Sequence, residues 1–261
     1  MAISSEHFVS SPACIPQMTL EQILPIYSRM GFKKFELFSS WCKSAVNIAT
    51  PAKIYLDLAR ANGIGFTSMH LPPITDDLEN SVKLAVSYAK FAQELGAKVV
   101  LYKATTRENY IRGAKPFLDA IEEAGLQIVP AIQNHKGTPV TTLEDFRDVL
   151  QGIEDERMKT VLEVGHFQRI GVPWQRGYDL LADSIALVHI NEIDLAGESV
   201  PYGTGVVDFA GLFEQLSRAE YTGDIVVELE LATRDSDIDR TIEHLGKALQ
   251  YLRVICKGVT V

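Results

Sequence analysis

The sequence predicts one closed (β/α)8 barrel spanning residues 1–261, and three observations point to it. Short apolar runs alternate with helical patterns eight times, without a composition break or linker, which gives a parallel sheet. A length of 261 residues is the usual size of one such barrel. Four runs in the second half end in a side chain suited to metal binding or proton transfer. Ile128–Ile132 runs into Gln133, Met158–Leu162 into Glu163, Ile185–Val188 into His189, and Asp224–Val227 into Glu228. In a closed barrel all four stand on the C-terminal rim, where this architecture places its chemistry.

Strands are expected near residues 7–10, 33–37, 64–69, 98–102, 127–132, 159–163, 185–190 and 224–229. Between them, Thr19 with Gln22 and Thr141 with Glu144 have the spacing of capping boxes, and Thr50-Pro51 reads as an N-cap followed by proline at the first helical position. Pro25 falls inside the first helical pattern and should kink or shorten that helix. Glu79 to Leu95 carries apolar residues at helical spacing and stops at Gly96. Gly31, Gly63, Gly125 and Gly223 stand at corresponding helix-to-strand junctions. An open doubly wound sheet would need a glycine-rich fingerprint after its first strand to bind a dinucleotide, and Phe8-Val9-Ser10-Ser11-Pro12 is not one.

The bulk properties narrow the function. The hydrophobic fraction is 46%, the charged fraction 23% and the formal net charge −9. An acidic chain without a Lys/Arg run lacks the electrostatic footprint of nucleic-acid binding, so no nucleic-acid partner is expected. Cys14, Cys42 and Cys256 are scattered, with no CxxC, which argues against a disulfide framework or thiolate zinc site and for a reducing compartment. Met1 to Ser11 has neither a basic nor an apolar signal segment, and no stretch is long enough to span a membrane. A cytoplasmic location without membrane association is the expectation.

Each rim residue also has a bland reading. Glu228 could be a solvated loop glutamate. However, Glu228 and Glu230 share one strand face, and a carboxylate buried there costs several kcal/mol unless paired or metal-bound. His189 is read as a metal ligand against the alternative of a satisfied core histidine. In Glu163-Val164-Gly165-His166 the glycine is expected to turn the backbone and aim His166 into the mouth. Gln133-Asn134-His135 closes the fifth run. Gln133 offers only a neutral oxygen and cannot act as a base, whereas His135 can. His70, Lys103 and Glu36 complete the ring, and Glu192 either supports the site or begins a solvated loop. Of six histidines, four (His70, His135, His166, His189) fall at expected strand ends. Val200 to Phe209 is a glycine-rich loop entering a helix; phosphate binding at the helix N-terminus is the alternative, and the loop is read as a mobile rim loop capped by Asp208, not as a Walker motif.

At these motifs the chain resembles the sugar isomerase/epimerase superfamily with the xylose-isomerase-like TIM barrel, which includes inosose dehydratases and endonuclease IV type enzymes. Glu-Asn-His on strand five appears as Gln133-Asn134-His135. Asp-x-x-His on strand six appears as Glu163-Val164-Gly165-His166, and His-x-x-Glu/Asp on strand seven as His189-Ile190-Asn191-Glu192. The Gly-x-Gly loop is Gly203 to Asp208, and the strand-eight glutamate is Glu228.

The resemblance implies one divalent cation (Mn²⁺, Mg²⁺, Co²⁺ or Zn²⁺) at Gln133, Glu163, His189 and Glu228, and a homo-oligomer. Gln133 stands where the family has glutamate, which removes one charge from the metal site and one of the two epimerase carboxylates. The first reading is a metal-assisted isomerase or epimerase of a keto-sugar or related polyhydroxy carbonyl compound, working through an enediolate. Glu228 would be its base, and His166 and His135 its opposing acid or hydroxyl contacts. His70, Lys103, Glu192 and Glu36 would bind substrate. A lyase with one glutamate base and a histidine acid is the alternative, followed by a sugar-binding barrel without catalysis. DNA repair would need a His- and Asp-rich trinuclear zinc site and a basic groove.

Overall fold

Parallel strands that are apolar on both faces must be covered on both, and this chain does so by closing the sheet and ringing it with helices. The computed structural model describes residues 2–231 and 237–258. Its strands are β1 (Phe8–Ser10), β2 (Lys34–Phe38), β3 (Gly65–His70), β4 (Val99–Tyr102), β5 (Val129–Gln133), β6 (Lys159–Glu163), β7 (Ile185–Asn191) and β8 (Asp224–Glu228). They pair in sequence order into a closed parallel barrel. β1 against β8 completes it, with Phe8 opposite Ile225 and Ser10 opposite Val227. The helices are α1 (Leu20–Met30), α2 (Ala52–Ala61), α3 (Leu78–Glu94), α4 (Arg107–Glu123), α5 (Leu143–Ile153), α6 (Val164–Gln168), α7 (Trp174–Leu181), α8 (Phe209–Arg218) and α9 (Ile238–Gly258).

The barrel interior explains the rim. Val9, Leu101, Ala131, Val161, Leu187 and Val226 form one fully buried cluster, separate from the larger core between sheet and helices. Strand side chains alternate faces with a period of two. The residues two positions further on are Ser11, Lys103, Gln133, Glu163, His189 and Glu228. Six strands thus stack a polar layer on an apolar one.

Several junctions differ from the sequence expectation. The Thr19 N–H donates to Gln22 Oε1 at 2.9 Å, as predicted. The second capping box lies one residue later, between Thr142 and Asp145. The Asp145 carboxylate accepts from the N–H groups of both Thr141 and Thr142, so it displaces Glu144 from that role. Pro51 keeps an extended ψ of 132° and itself stands at the boundary of α2, so Thr50 is not the cap. α1 runs on through Pro25. α8 ends at Arg218 and Glu220 (φ 52°) takes the left-handed turn, so Gly223 is not the helix stop. Among the described residues, no helix is long and apolar enough to cross a membrane.

Candidate active site

The ring converges. Glu163, His189 and Glu228 each offer one ligand atom, all within 4.8 Å of one another. His189 Nδ1 lies 3.1 Å from Glu163 Oε2 and 3.6 Å from Glu228 Oε1. The Gln133 amide N–H donates to Glu163 Oε2 at 2.8 Å. Ser11 Oγ–H donates to Glu228 Oε1 at 3.3 Å. The other Glu163 oxygen, Oε1, is buried without a hydrogen-bond partner. An orphaned carboxylate oxygen beside an imidazole and a second carboxylate is a donor set that suits a hard or borderline divalent cation. The residues therefore fit the metal that the family resemblance implies.

Protonation follows the same crowding. Burial, then the charge of Glu163, pushes the Glu228 carboxyl well above the usual carboxylate range. Burial works against the His189 imidazolium, but Glu36, Glu163 and Glu228 outweigh it and hold that ring well above its ordinary value. Burial also raises the Glu163 carboxyl, yet bonding to His189 brings it down to about 2. Without a cation, protons on His189 and Glu228 do the neutralising.

Glu36 was expected to touch substrate, but it does not line the cavity. It is wholly buried beneath the floor. Its Oε1 is 3.2 Å from His189 Nε2 and accepts from Ser68 Oγ–H at 2.9 Å, and its Oε2 is 3.1 Å from His70 Nε2. Burial raises this carboxyl, but the two imidazoles overcome it and leave it ionised. A carboxylate behind a ligand histidine fixes the ring's orientation and tautomer. Glu36→Ala is expected to cost about 3–5 kcal/mol of stability, the usual effect of breaking a buried ion pair, because it strands His189 and His70. Chemical denaturation at neutral pH checks this; a loss below about 1 kcal/mol would show that the pair is not structural.

Above the floor is a cavity of about 400 Å³. His70, Lys103, Gln133, His135, His166 and Glu228 line it, and so does Glu230, which is ion-paired to Arg169. Burial lowers His166 and His70 to about 3 and lowers His135, so these rings are neutral near pH 7. The His135 and His166 ring centres are 3.7 Å apart. His135 Nδ1 is 2.8 Å from the Lys136 carbonyl, which only accepts, so the proton is on Nδ1 and Nε2 is bare. The Lys136 N–H donates to His166 Nδ1 at 3.3 Å, so that ring carries its proton on Nε2. The backbone N–H and C=O of one residue, Lys136, thus set opposite tautomers: His135 presents a base and His166 a donor. Phe38 stacks on His70 at 3.9 Å. The Lys103 ammonium lies 5.6 Å from the Phe38 ring centre, and burial pulls its amine down to about 8 against the pull of Glu36 and Glu228.

Glu192 does not line the cavity either. Its carboxylate accepts from the N–H groups of Gly203 and Val207, at 3.0 and 3.1 Å, and so holds the glycine-rich loop. A Cβ on Gly205 would stand 2.4 Å from Glu192 Oε1, which accounts for a glycine there. Asp208 caps α8, accepting from the Gly211 N–H. Gly165 does not have a positive φ and lies within α6. It is small because a Cβ there would stand 2.7 Å from Asn191 Cβ, so close packing, not a special turn, places His166. Trp41, 67% exposed with φ 76° and lining the cavity, had no signal in the sequence, because its strained backbone is set by the loop as a whole.

Residues 25–253 match the model of the family described as xylose isomerase-like TIM barrel. The chain is 24% identical over 218 residues to an inosose dehydratase of Geobacillus thermodenitrificans (strain NG80-2), covering 68% of this chain and 72% of that protein. It is 25% identical over 278 residues to an inosose dehydratase of Clostridium beijerinckii (strain ATCC 51743 / NCIMB 8052), covering 90% and 89%. Among solved structures, the IOLI protein with a binding zinc atom superposes with a TM-score of 0.74 at 14% identity, over 97% of this chain and 99% of that one. With a closed barrel and a convergent C-terminal rim, this chain belongs to the xylose isomerase-like TIM barrel family.

Proposed function

We propose that this barrel is a metal-assisted lyase that removes water from a polyhydroxy ketone. The observation that carries the reading is Gln133: it places a neutral amide, bonded to Glu163, where a second carboxylate base would face Glu228. The likeness to inosose dehydratases supports the same class. Glu163, His189 and Glu228 would hold the cation, with Gln133 beside them. When bound, the cation would supply Lewis acidity to adjacent carbonyl and hydroxyl oxygens. Glu228 takes the proton α to the carbonyl. His166, protonated on Nε2, hydrogen-bonds the departing β-hydroxyl, and the proton taken by Glu228 leaves with that hydroxyl as water. The carbon–hydrogen and carbon–oxygen bonds break and the carbon–carbon double bond forms, with no net change in the side chains.

Isomerisation or epimerisation is the second reading, and His135 favours it, because its bare Nε2 is a second base at the cavity wall. The test is incubation of zinc- or manganese-loaded protein with an inosose and with D-fructose in deuterium oxide. Loss of water and a new enone absorbance support the lyase. Deuterium incorporation without water loss supports isomerisation. Binding without either returns the non-catalytic reading.

A further inference from the structure

We propose that Lys103 anchors a negatively charged group of the substrate, so that this barrel takes a polyhydroxy keto acid in preference to a neutral ketose. The inference rests on the ketone-directed reading above and adds the substrate's charge. Lys103 follows β4, two residues beyond the interior Leu101, so its side chain lies on the inner face and lines the cavity. It is half-buried, and among the described residues its ammonium has no ion-pair or hydrogen-bond partner. The ammonium stands over the face of Phe38. A cation withdrawn from water without an anion is costly unless something pairs with it.

The neighbouring carboxylates do not fill that role. Glu36 is already engaged by His189, His70 and Ser68, and Glu228 by His189 and Ser11. Arg169 sits on Glu230. Lys103 is therefore the unengaged cation of this wall among the described residues. Ser39 and Ser40 directly follow Phe38 and line the same cavity, so hydroxyl donors are at hand for a second oxygen. A carboxylate is the group these donors match.

A matched pair tests it. 2-Keto-D-gluconate and D-fructose differ only in a carboxylate replacing a hydroxymethyl group. Titration calorimetry on zinc-loaded protein should show the acid binding on the order of tenfold to a hundredfold tighter, the range of one charge-assisted hydrogen bond. Lys103→Met should abolish that preference, weakening the acid by the full tenfold to hundredfold and D-fructose by far less, and Lys103→Arg should retain it. The Met side chain fills the lysine stem, and a thermal melt checks the fold; Lys103→Gln is the second variant should the Met protein not fold. Equal binding of both compounds by wild-type protein overturns the inference. So does an acid preference that survives in Lys103→Met, which would place the carboxylate on the metal. If neither compound binds, the ketone-directed reading fails, and this inference fails with it.

Discussion

Glu228→Gln is expected to reduce turnover by on the order of a thousandfold, within the range of losing a positioned acid/base group. The same change should make the metal-free protein more stable. Burial and the neighbouring Glu163 push the Glu228 carboxyl up, so the folded state holds a proton that the unfolded state has released. The folded protein then binds more protons, and its stability falls as pH rises from the ordinary carboxylate range toward the raised value. Glutamine abolishes that penalty, and the gain at neutral pH should be roughly 1–3 kcal/mol, the scale of the desolvation cost of a buried polar group. Melts with a chelator at pH 5 and pH 8 check the sign. Wild type should lose stability between them through this group, and the variant should lose less. A variant that is inactive but no more stable than wild type at pH 8 would mean that Glu228 is not strained by its neighbours.

Gln133→Glu should tighten the divalent cation by tenfold or more. The amide nitrogen stands 2.8 Å from Glu163 Oε2 and 3.4 Å from His189 Nδ1, so a carboxylate there adds a negative charge against the metal ligands. At about 4 Å and an effective dielectric near 20, an added charge interacts by roughly 4 kcal/mol per unit of ion charge before desolvation. About a third of that is already tenfold in affinity. The same charge repels Glu163 when no metal is present, so the metal-free melting temperature should drop while the metal-induced rise grows. Turnover separates the chemistries. The lyase reading expects the native reaction to weaken, because the neutral amide belongs to the working site. A second base facing Glu228 should also introduce solvent-deuterium exchange at the carbon α to a ketose carbonyl. Unchanged metal affinity in calorimetry would mean that Gln133 is outside the cation's reach.

Local rules make much of this legible in the sequence. Alternation of apolar runs with amphipathic helices determines a barrel of parallel strands, and the period of two determines which side chains share its inner face. Val161 and Glu163, or Leu187 and His189, stack in that way on sequence spacing alone, because each relation spans three residues of one strand. The four histidines at strand ends are legible for the same reason. What the period cannot give is height. The tilt and stagger of a closed sheet decide which residues of different strands are level. Tertiary structure alone therefore set Glu36 below the floor against His189, and left Lys103 facing open space. Glu192 is a similar case, since its carboxylate is spoken for by Gly203 and Val207, N–H groups 11 and 15 residues away. The opposite tautomers of His135 and His166 depend on the backbone N–H and C=O of one residue, Lys136, reaching both rings. Such contacts arise only when the chain closes on itself, so spacing along a single strand carries no record of them.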